Sequence, residues 1–426
     1  LDGLRGLAAF FVVLHHSSLV WFSWKIHGGW NPNSDQTAWF VRLPIIRFFI
    51  SGAPQVRIFF VVSGYAISHK PIKLARQGRY AEIGATLSSS VFRRHSRLFL
   101  PAACITLLSA LIIQLDPGWF GSEGLEGVAV PTRTVPHANN LLDQLWHFKD
   151  AEIQATNPIS QGLAQGGESR VYLNPYDPNL WTLPMEFSSS FVVFLFLTAF
   201  ARIRNRVRMF FALGVIVYFQ YNFGYWALYP FLCGMLICDI HFEMDEIRAK
   251  YAAGPDSADT SVLPIGVVFG LAAFLGSLWL LSTPDAFLGS KQSWGFVTLV
   301  SWVPETLRDQ ALVPTGAALL VLVVDQFPFL QILFTNSFAQ YMGRISYALY
   351  LVHGPLLWSL GLSFAHTTLD LTGKEGDWQY GFGIFLAACL WWPIAIYAAD
   401  LTARFVDENC VRLGRWVYEK LLKQES

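Results

Sequence analysis

The sequence predicts an all-α fold, a polytopic transmembrane helical bundle of about ten spans with one long non-cytoplasmic loop. Three observations predict it. Of 426 residues, 53% are hydrophobic and only 14% are charged, where a soluble domain carries about 25% charged residues. A mean hydropathy of +0.39 leaves too little charge to solvate a globular surface of this size. Aromatic residues reach 15% and include 16 Trp, side chains that collect where lipid meets water. The net charge of zero argues against nucleic acid as a partner. Cys104, Cys233, Cys238, Cys389 and Cys410 are scattered singly, without a disulfide framework or a metal-binding spacing. No cleavable signal peptide is expected, because the first apolar run is too long and no small-residue cleavage site follows it.

A bilayer core of about 30 Å takes about 20 apolar residues per helix. On that ruler the spans run over 4–24, 46–68, 92–115, 181–201, 207–222, 224–240, 263–282, 312–325, 343–363 and 382–402. The fifth and sixth are separated only by the turn around Asn222 and Gly224, and the eighth is short. The stretch 294–304 reads as interfacial or as an extra half-span. Positive charge marks the cytoplasmic side. Lys70, Lys73, Arg76 and Arg79 lie between the second span and the third, and Arg93 and Arg94 follow at the start of the third. Arg202, Arg204, Arg206 and Arg208 link the fourth to the fifth. Arg404, Arg412, Arg415, Lys420 and Lys423 follow the last. Ten crossings put all three groups on one side, with both termini cytoplasmic. The loop 116–180 falls opposite; it is acidic, rich in Pro, Gly and Asn, and holds only Arg133, Lys149 and Arg170 as cations. Residues 1–412 are expected as one membrane domain and 413–426 as a cytoplasmic tail. The sequence has no internal repeat of the kind common in transporters.

Ionisable groups inside a membrane cost about 2.5–3.5 kcal/mol each at mid-helix, so they point to function. Arg5 and His16 are eleven residues apart, which puts them on one helix face about 16 Å apart. A histidine there can take a hydroxyl proton near neutral pH, and an arginine near the entrance can hold a phosphate. The structural alternative is a snorkelling arginine and a histidine bonded to a neighbouring helix. Arg94 and Arg97 share a face at the cytoplasmic mouth of the third span and can grip phosphates; a topological charge signal is the alternative. Glu186 lies just inside the fourth span at its non-cytoplasmic end. It can orient a histidine or bind a hydroxyl, or simply favour the helix dipole. Ser346, Tyr350 and His353 form one polar stripe on an apolar helix, a candidate substrate contact or a set of inter-helix hydrogen bonds.

Together these motifs resemble the acyltransferase-3 family of integral membrane acyltransferases. Leu1-Asp2-Gly3-Leu4-Arg5-Gly6-Leu7-Ala8-Ala9, with Val12 and His16, is similar to the family's first span, in which an arginine and a histidine are separated by ten residues. Arg94 and Arg97, followed by Leu98 and Pro101, resemble its Arg-x-x-Arg motif. Phe59-Phe60-Val61-Val62-Ser63-Gly64-Tyr65 resembles its second-span signature. Trp181-Thr182-Leu183 with Glu186 matches a Trp-Ser-Leu-x-x-Glu pattern, with Thr182 in place of serine. Gly343-Arg344-Ile345-Ser346-Tyr347 and Tyr350-Leu351-Val352-His353 resemble its late signature. The resemblance runs from Leu1 to about Val411 and is closest in style to fungal members, which often act on secondary metabolites. The loop 116–180 matches no family motif. The ten-residue spacing selects His16 over His15.

The resemblance implies transfer of an acyl group, most often acetyl, from acyl-CoA to a hydroxyl of a small-molecule, lipid or sugar acceptor. His16 is then the general base. Arg5, Arg94 and Arg97 hold the CoA end on the cytoplasmic side. Glu186 joins the catalytic group, and His353, Tyr350 and Ser346 meet the acceptor. No permanently bound cofactor and no metal is expected; acyl-CoA, the acceptor and the bilayer are the partners. The rival is a transporter or flippase that uses the same polar groups as a substrate path.

Overall fold

The computed structural model describes residues 1–23, 26–32, 39–120, 123–130, 135–157, 172–252, 263–284, 290–304 and 308–422. Among them the only strand-like pairing is a single bridge between Asn174 and Asp177, so the all-α expectation holds. The helices are α1 (Asp2–Trp21), α2 (Gly52–Arg76), α3 (Tyr80–Leu115), α4 (Leu141–Ala155), α5 (Leu183–Phe200), α6 (Asn205–Phe223), α7 (Leu228–Ala252) and α8 (Leu263–Leu281). They continue as α9 (Val297–Trp302), α10 (Arg308–Gln326), α11 (Pro328–Thr335), α12 (Ser337–Leu356), α13 (Leu362–Thr372), α14 (Asp377–Thr402) and α15 (Glu408–Leu421). Each of the ten segments expected as a span centres on one of these helices.

Length and hydropathy alone qualify five stretches to cross a membrane: α1, α3, Pro178–Phe200, Ser337–Thr372 and Asp377–Leu421. A sixth is the pair α10–α11, bent by 104°. Helices α2, α6 and α7 fall short because they carry charge, and part of that charge is neutralised inside the bundle. Arg76 reaches Asp239 at 2.7 Å and Arg208 reaches it at 2.7 Å, with all three side chains at most 5% exposed. This knot ties α2, α6 and α7 together. Arg76 and Arg208, topological charges by sequence, are structural ones as well.

Close packing in an apolar medium relies on small residues that let backbones touch. A Cβ on Gly64 would lie 2.1 Å from the carbonyl oxygen of Phe231, and one on Gly234 would lie 2.0 Å from that of Val61. These two glycines lock α2 against α7. A Cβ on Gly6 would lie 2.2 Å from the amide nitrogen of Gly343, which locks α1 against α12. Ten residues further along both helices, the rings of His16 and His353 meet. Contacts that advance in step along both chains mean that α1 and α12 run parallel. The same holds for α2 and α7, where Phe60 touches Phe231 and Arg76 touches Asp239. The buried apolar side chains gather in two main clusters. One lies around α2, α7 and α10 (Ile58, Phe231, Val321) and the other around α1, α3, α12 and α14 (Val13, Ile113, Leu349, Trp391).

The loop 116–180 is more than a solvent-exposed link. Its residues 121–122, 131–134 and 158–171, including Arg133 and Arg170, lie outside the described residues. Of the rest, α4 docks on α3 through Glu152, which accepts hydrogen bonds from Thr106 at 2.9 Å and Asn174 at 2.7 Å. Burial raises the pKa of the Glu152 carboxyl, and the two donors hold that rise back. The stretch after α4 then enters the bundle: Tyr176 and Asp177 are fully buried, and Leu180 and Thr182 nearly so. The tail expected from residue 413 is part of α15, which packs back along α3.

The glycine locks give a signed prediction. Gly64→Ala should lower the melting temperature in detergent, because the new methyl meets backbone and overpacking costs about 1–3 kcal/mol. Gly214→Ala in α6, where a Cβ meets nothing within 4 Å, should hold or raise it, since alanine is the better helix former by about 0.5–1 kcal/mol. Fluorescence-detected thermal unfolding of the two variants checks the contrast.

Candidate active site

Arg94 sits in the middle of α3, not at its end, because that helix runs 36 residues, about 54 Å. Its guanidinium donates to Glu186 Oε1 at 2.8 Å and to Ser190 Oγ at 3.0 Å. Ser63 donates to the same Glu186 oxygen at 3.4 Å. The Arg94 side chain is 9% exposed and that of Glu186 is 20%. Hydropathy puts these two at opposite ends of their spans, and the structure corrects that. The turn Pro178–Thr182 carries the chain inward before α5 starts, so Glu186 in the first turn of α5 meets the middle of α3. Each then satisfies the other, as a charge in apolar surroundings must.

This pair lies on a chamber of about 390 Å³, within the range of small-molecule sites. Arg5, Arg94, Arg97, Glu186, Ser346 and Tyr350 all line it. So do three cations outside the expected site, Lys70, Arg93 and Arg344, and one acid, Asp407. Lys70 and Arg93 carry a visible signal in the sequence as topological charges. Asp407 carries none. Arg97 is exposed to the chamber and makes no hydrogen bond or ion pair with any described residue. Arg5 donates to the carbonyl of Gly343 at 3.0 Å and stands 3.4 Å from Asp2. Arg344 stands 3.3 Å from Asp400.

His16 and His353 do not line the chamber. They stand one turn beyond Val12 and Tyr350, which do. Their rings are 5.2 Å apart, and the Tyr350 ring lies 6.0 Å from that of His353. Nδ1 of His353 faces the carbonyls of Tyr350 at 2.7 Å and Leu349 at 3.2 Å. Two acceptors require a donor, so Nδ1 carries the proton and Nε2 holds a lone pair. That Nε2 is buried without a hydrogen-bond partner among the described residues, the kind of orphan that requires an explanation in a native fold. His15, by contrast, is committed to the carbonyl of Ile50 at 2.9 Å. The Tyr350 hydroxyl bonds Thr182 Oγ1 at 2.8 Å and donates to the carbonyl of Asn179, so the inward-turning loop segment touches the deep end of the site. Ser346 spends its hydroxyl hydrogen on Gly343 of its own helix at 2.9 Å. The structure thus brings all eight expected residues to one chamber or its deep wall, and leaves Ser346 as lining.

Comparison with known proteins identifies the family. Residues 1–398 match the acyltransferase domain that defines the acyltransferase-3 family. The chain is 47% identical over its whole length to the O-acetyltransferase PaAT-1 of Phomopsis amygdali, of which it covers 85%. It is 22% identical to an acyltransferase of a Phoma species and 22% identical to one of Cochliobolus lunatus. In both cases 86% of this chain is matched, against 81% and 80% of the relatives. No solved structure matches the chain. The rival assignment to a transporter gives way to catalysis: the chain belongs to the acyltransferase-3 family of membrane enzymes and transfers acyl groups.

Proposed function

We propose that the protein is an O-acetyltransferase that takes its acetyl group from acetyl-CoA and places it on a hydroxyl of a small-molecule, lipid or sugar acceptor. One observation carries the proposal: a chamber ringed by cations leads to a histidine pair whose buried Nε2 has no partner among the described residues. The relative from Phomopsis amygdali, named as an O-acetyltransferase, supports the choice of group and of oxygen.

The roles follow from position. Arg97, Arg5 and the neighbouring Arg93 and Lys70 hold the phosphates of CoA. Arg94 is occupied by Glu186, so it fixes that carboxylate, and the fixed carboxylate orients the acceptor or the reacting end of the donor. His16 takes the proton as the acceptor oxygen attacks the thioester carbon. Collapse of the tetrahedral intermediate breaks the carbon–sulfur bond, and His16 returns the proton to the departing thiolate. His353 Nε2 accepts a hydrogen bond from a His16 N–H, which leaves the lone pair of the other His16 nitrogen for the reacting hydroxyl.

Ten crossings with both termini in the cytoplasm are part of the same proposal. The parallel course of α1 with α12, and of α2 with α7, supports it, because parallel spans are separated by an even number of steps. The cationic end of the chamber then opens to the cytoplasm, where acyl-CoA is made, and the inward-turning segment 172–182 belongs to the acceptor side.

Purified protein in detergent, labelled acetyl-CoA and a panel of hydroxylated acceptors test the assignment. His16→Ala should cut kcat by about 10²–10⁴-fold; transfer that survives it would sink the assigned base. Arg97→Ala should raise KM for acetyl-CoA about tenfold while sparing kcat, since a phosphate contact made equally before and during reaction is uniform binding. The ion pair predicts non-additivity: Arg94→Met alone should destabilise the fold by about 3–5 kcal/mol by orphaning Glu186, and adding Glu186→Leu should recover part of that loss in a thermal melt.

A further inference from the structure

The family match ends at residue 398, yet the chamber does not. Asp407, Cys410, Val411 and Gly414 all line it. The wide helical turn Ala403–Asp407 follows α14, and α15 then returns antiparallel to α3. A Cβ on Gly414 would lie 2.9 Å from Ser96 Oγ, and the rings of Tyr418 and Phe92 are 5.2 Å apart. This last helix therefore forms one wall of the donor chamber, beside the face that carries Arg93 and Arg97.

That wall contributes a negative charge where only positive ones are expected. The chamber lining holds six cationic side chains and two acids, Glu186 and Asp407. Glu186 is bound by Arg94. Asp400, two turns before Asp407, binds Arg344 and Arg404 at 3.3 and 2.7 Å. Asp407 has no such bond: among the described residues no cation lies within ion-pair distance of it, and its side chain does not cap α15. It lines the chamber together with Arg97 and Arg5. It thus faces the two arginines assigned to donor phosphates at a distance, and is paired with neither.

We propose that Asp407 is a built-in counter-anion of the donor site, which shares the chamber with Arg97 and Arg5 and opposes the phosphates of acyl-CoA. The inference rests on the assignment of the chamber to acyl-CoA. Its physical content is a penalty. A carboxylate and a phosphate in one chamber repel each other, so Asp407 keeps donor affinity below what the cations alone would give. The benefit is release: the product CoA carries the same phosphates as the donor and must leave the same chamber, and release is a common limit on turnover. Asp407 acts through the negative charge it adds to the chamber, not through a bond to either arginine.

The consequence has an unusual sign, because removing a residue from the wall of a binding chamber should tighten binding. CoA itself is the probe, titrated by calorimetry or filter binding onto the full chain in detergent. Asp407→Asn should lower the Kd for CoA about threefold or more at low salt, with the gain shrinking as salt is raised, and should lower kcat relative to KM. Asp407→Glu should behave as the unaltered protein. Glu408→Gln, which removes a neighbouring charge outside the chamber lining, should change the Kd by less than about twofold. A weaker or unchanged Kd in Asp407→Asn, alongside a weakened Arg97→Ala, would overturn the inference and leave the donor assignment standing. Unchanged CoA binding in Arg97→Ala would remove both. If Asp407→Asn fails to fold, Asp407→Ser takes its place, with the same tightening expected and the same weaker or unchanged Kd overturning the inference.

Discussion

Arg94 and Glu186 meet at 2.8 Å inside an apolar bundle, and much of the surrounding architecture follows from the fact that neither charge is tolerated there alone. For the two to meet, α5 has to begin beside the middle of α3. That in turn requires the chain to descend into the bundle before α5 starts, through a stretch that buries Tyr176, Asp177, Leu180 and Thr182. Pro178 and Pro184 suit the first turns of the two short helical starts that make the descent, since proline there forfeits no helical hydrogen bond. The same descent delivers Asn179 and Thr182 to the hydroxyl of Tyr350. One ion pair thus fixes both the depth of Glu186 and the floor of the chamber.

The histidine pair depends on a different constraint. His16 and His353 come from helices far apart in sequence, and their meeting is a matter of register. Gly6 and Gly343 pin α1 to α12 with backbone contact. Because the two helices run parallel, residues equally far beyond the pin stay level with each other, and both histidines lie ten residues on. A side chain at either glycine would spread the helices and draw the imidazoles apart. The arginine-to-histidine spacing of the first span therefore has a companion, a glycine-to-histidine spacing of the same kind on α12.

The sequence exposes what is local and hides what is long-range. Hydropathy locates α1, α2, α3, α5 and α12, and motif order selects Arg5, His16, Arg94, Arg97, Glu186 and His353 as the residues to watch. It misjudges depth for Arg94 and Glu186, because a hydropathy window sees where an apolar run ends and not where a 36-residue helix continues past it. Lys70 and Arg93 read only as topological charges, since one lysine or arginine can serve both to orient a chain and to bind an anion. Nothing local marks Asp407, an ordinary acid whose role arises only from the return of α15 along α3. The stretch 116–180 reads as an external loop, because polar and proline-rich composition marks an irregular chain. Composition does not say that Glu152, Gln144 and Tyr176 bury its polar groups on one another and on α3.

Under the proposed function, the division of charge within the chamber gives the two substrates different doors. Five of its six cations, Lys70, Arg93, Arg97, Arg5 and Arg344, stand on the side away from the histidines, and the sixth is committed to Glu186. Past Val12 and Tyr350 the cations of the lining end, and the groups that follow are imidazoles, hydroxyls and the buried carboxylate of Asp177, which lies against Gly354. A polyanion gains at every step toward the cations and loses at every step beyond them, so its phosphates halt where the arginines are and only an uncharged arm can extend to the histidines. A thioester on a long flexible chain has that shape. An acceptor without net negative charge has no reason to enter through the same door, and the inward-turning segment at Asn179 and Thr182 offers it neutral hydrogen-bonding groups at the opposite end. In the proposed reaction the two approaches meet at an imidazole pair, His353 buried and His16 half-buried, that neither the cationic mouth nor the loop segment contains.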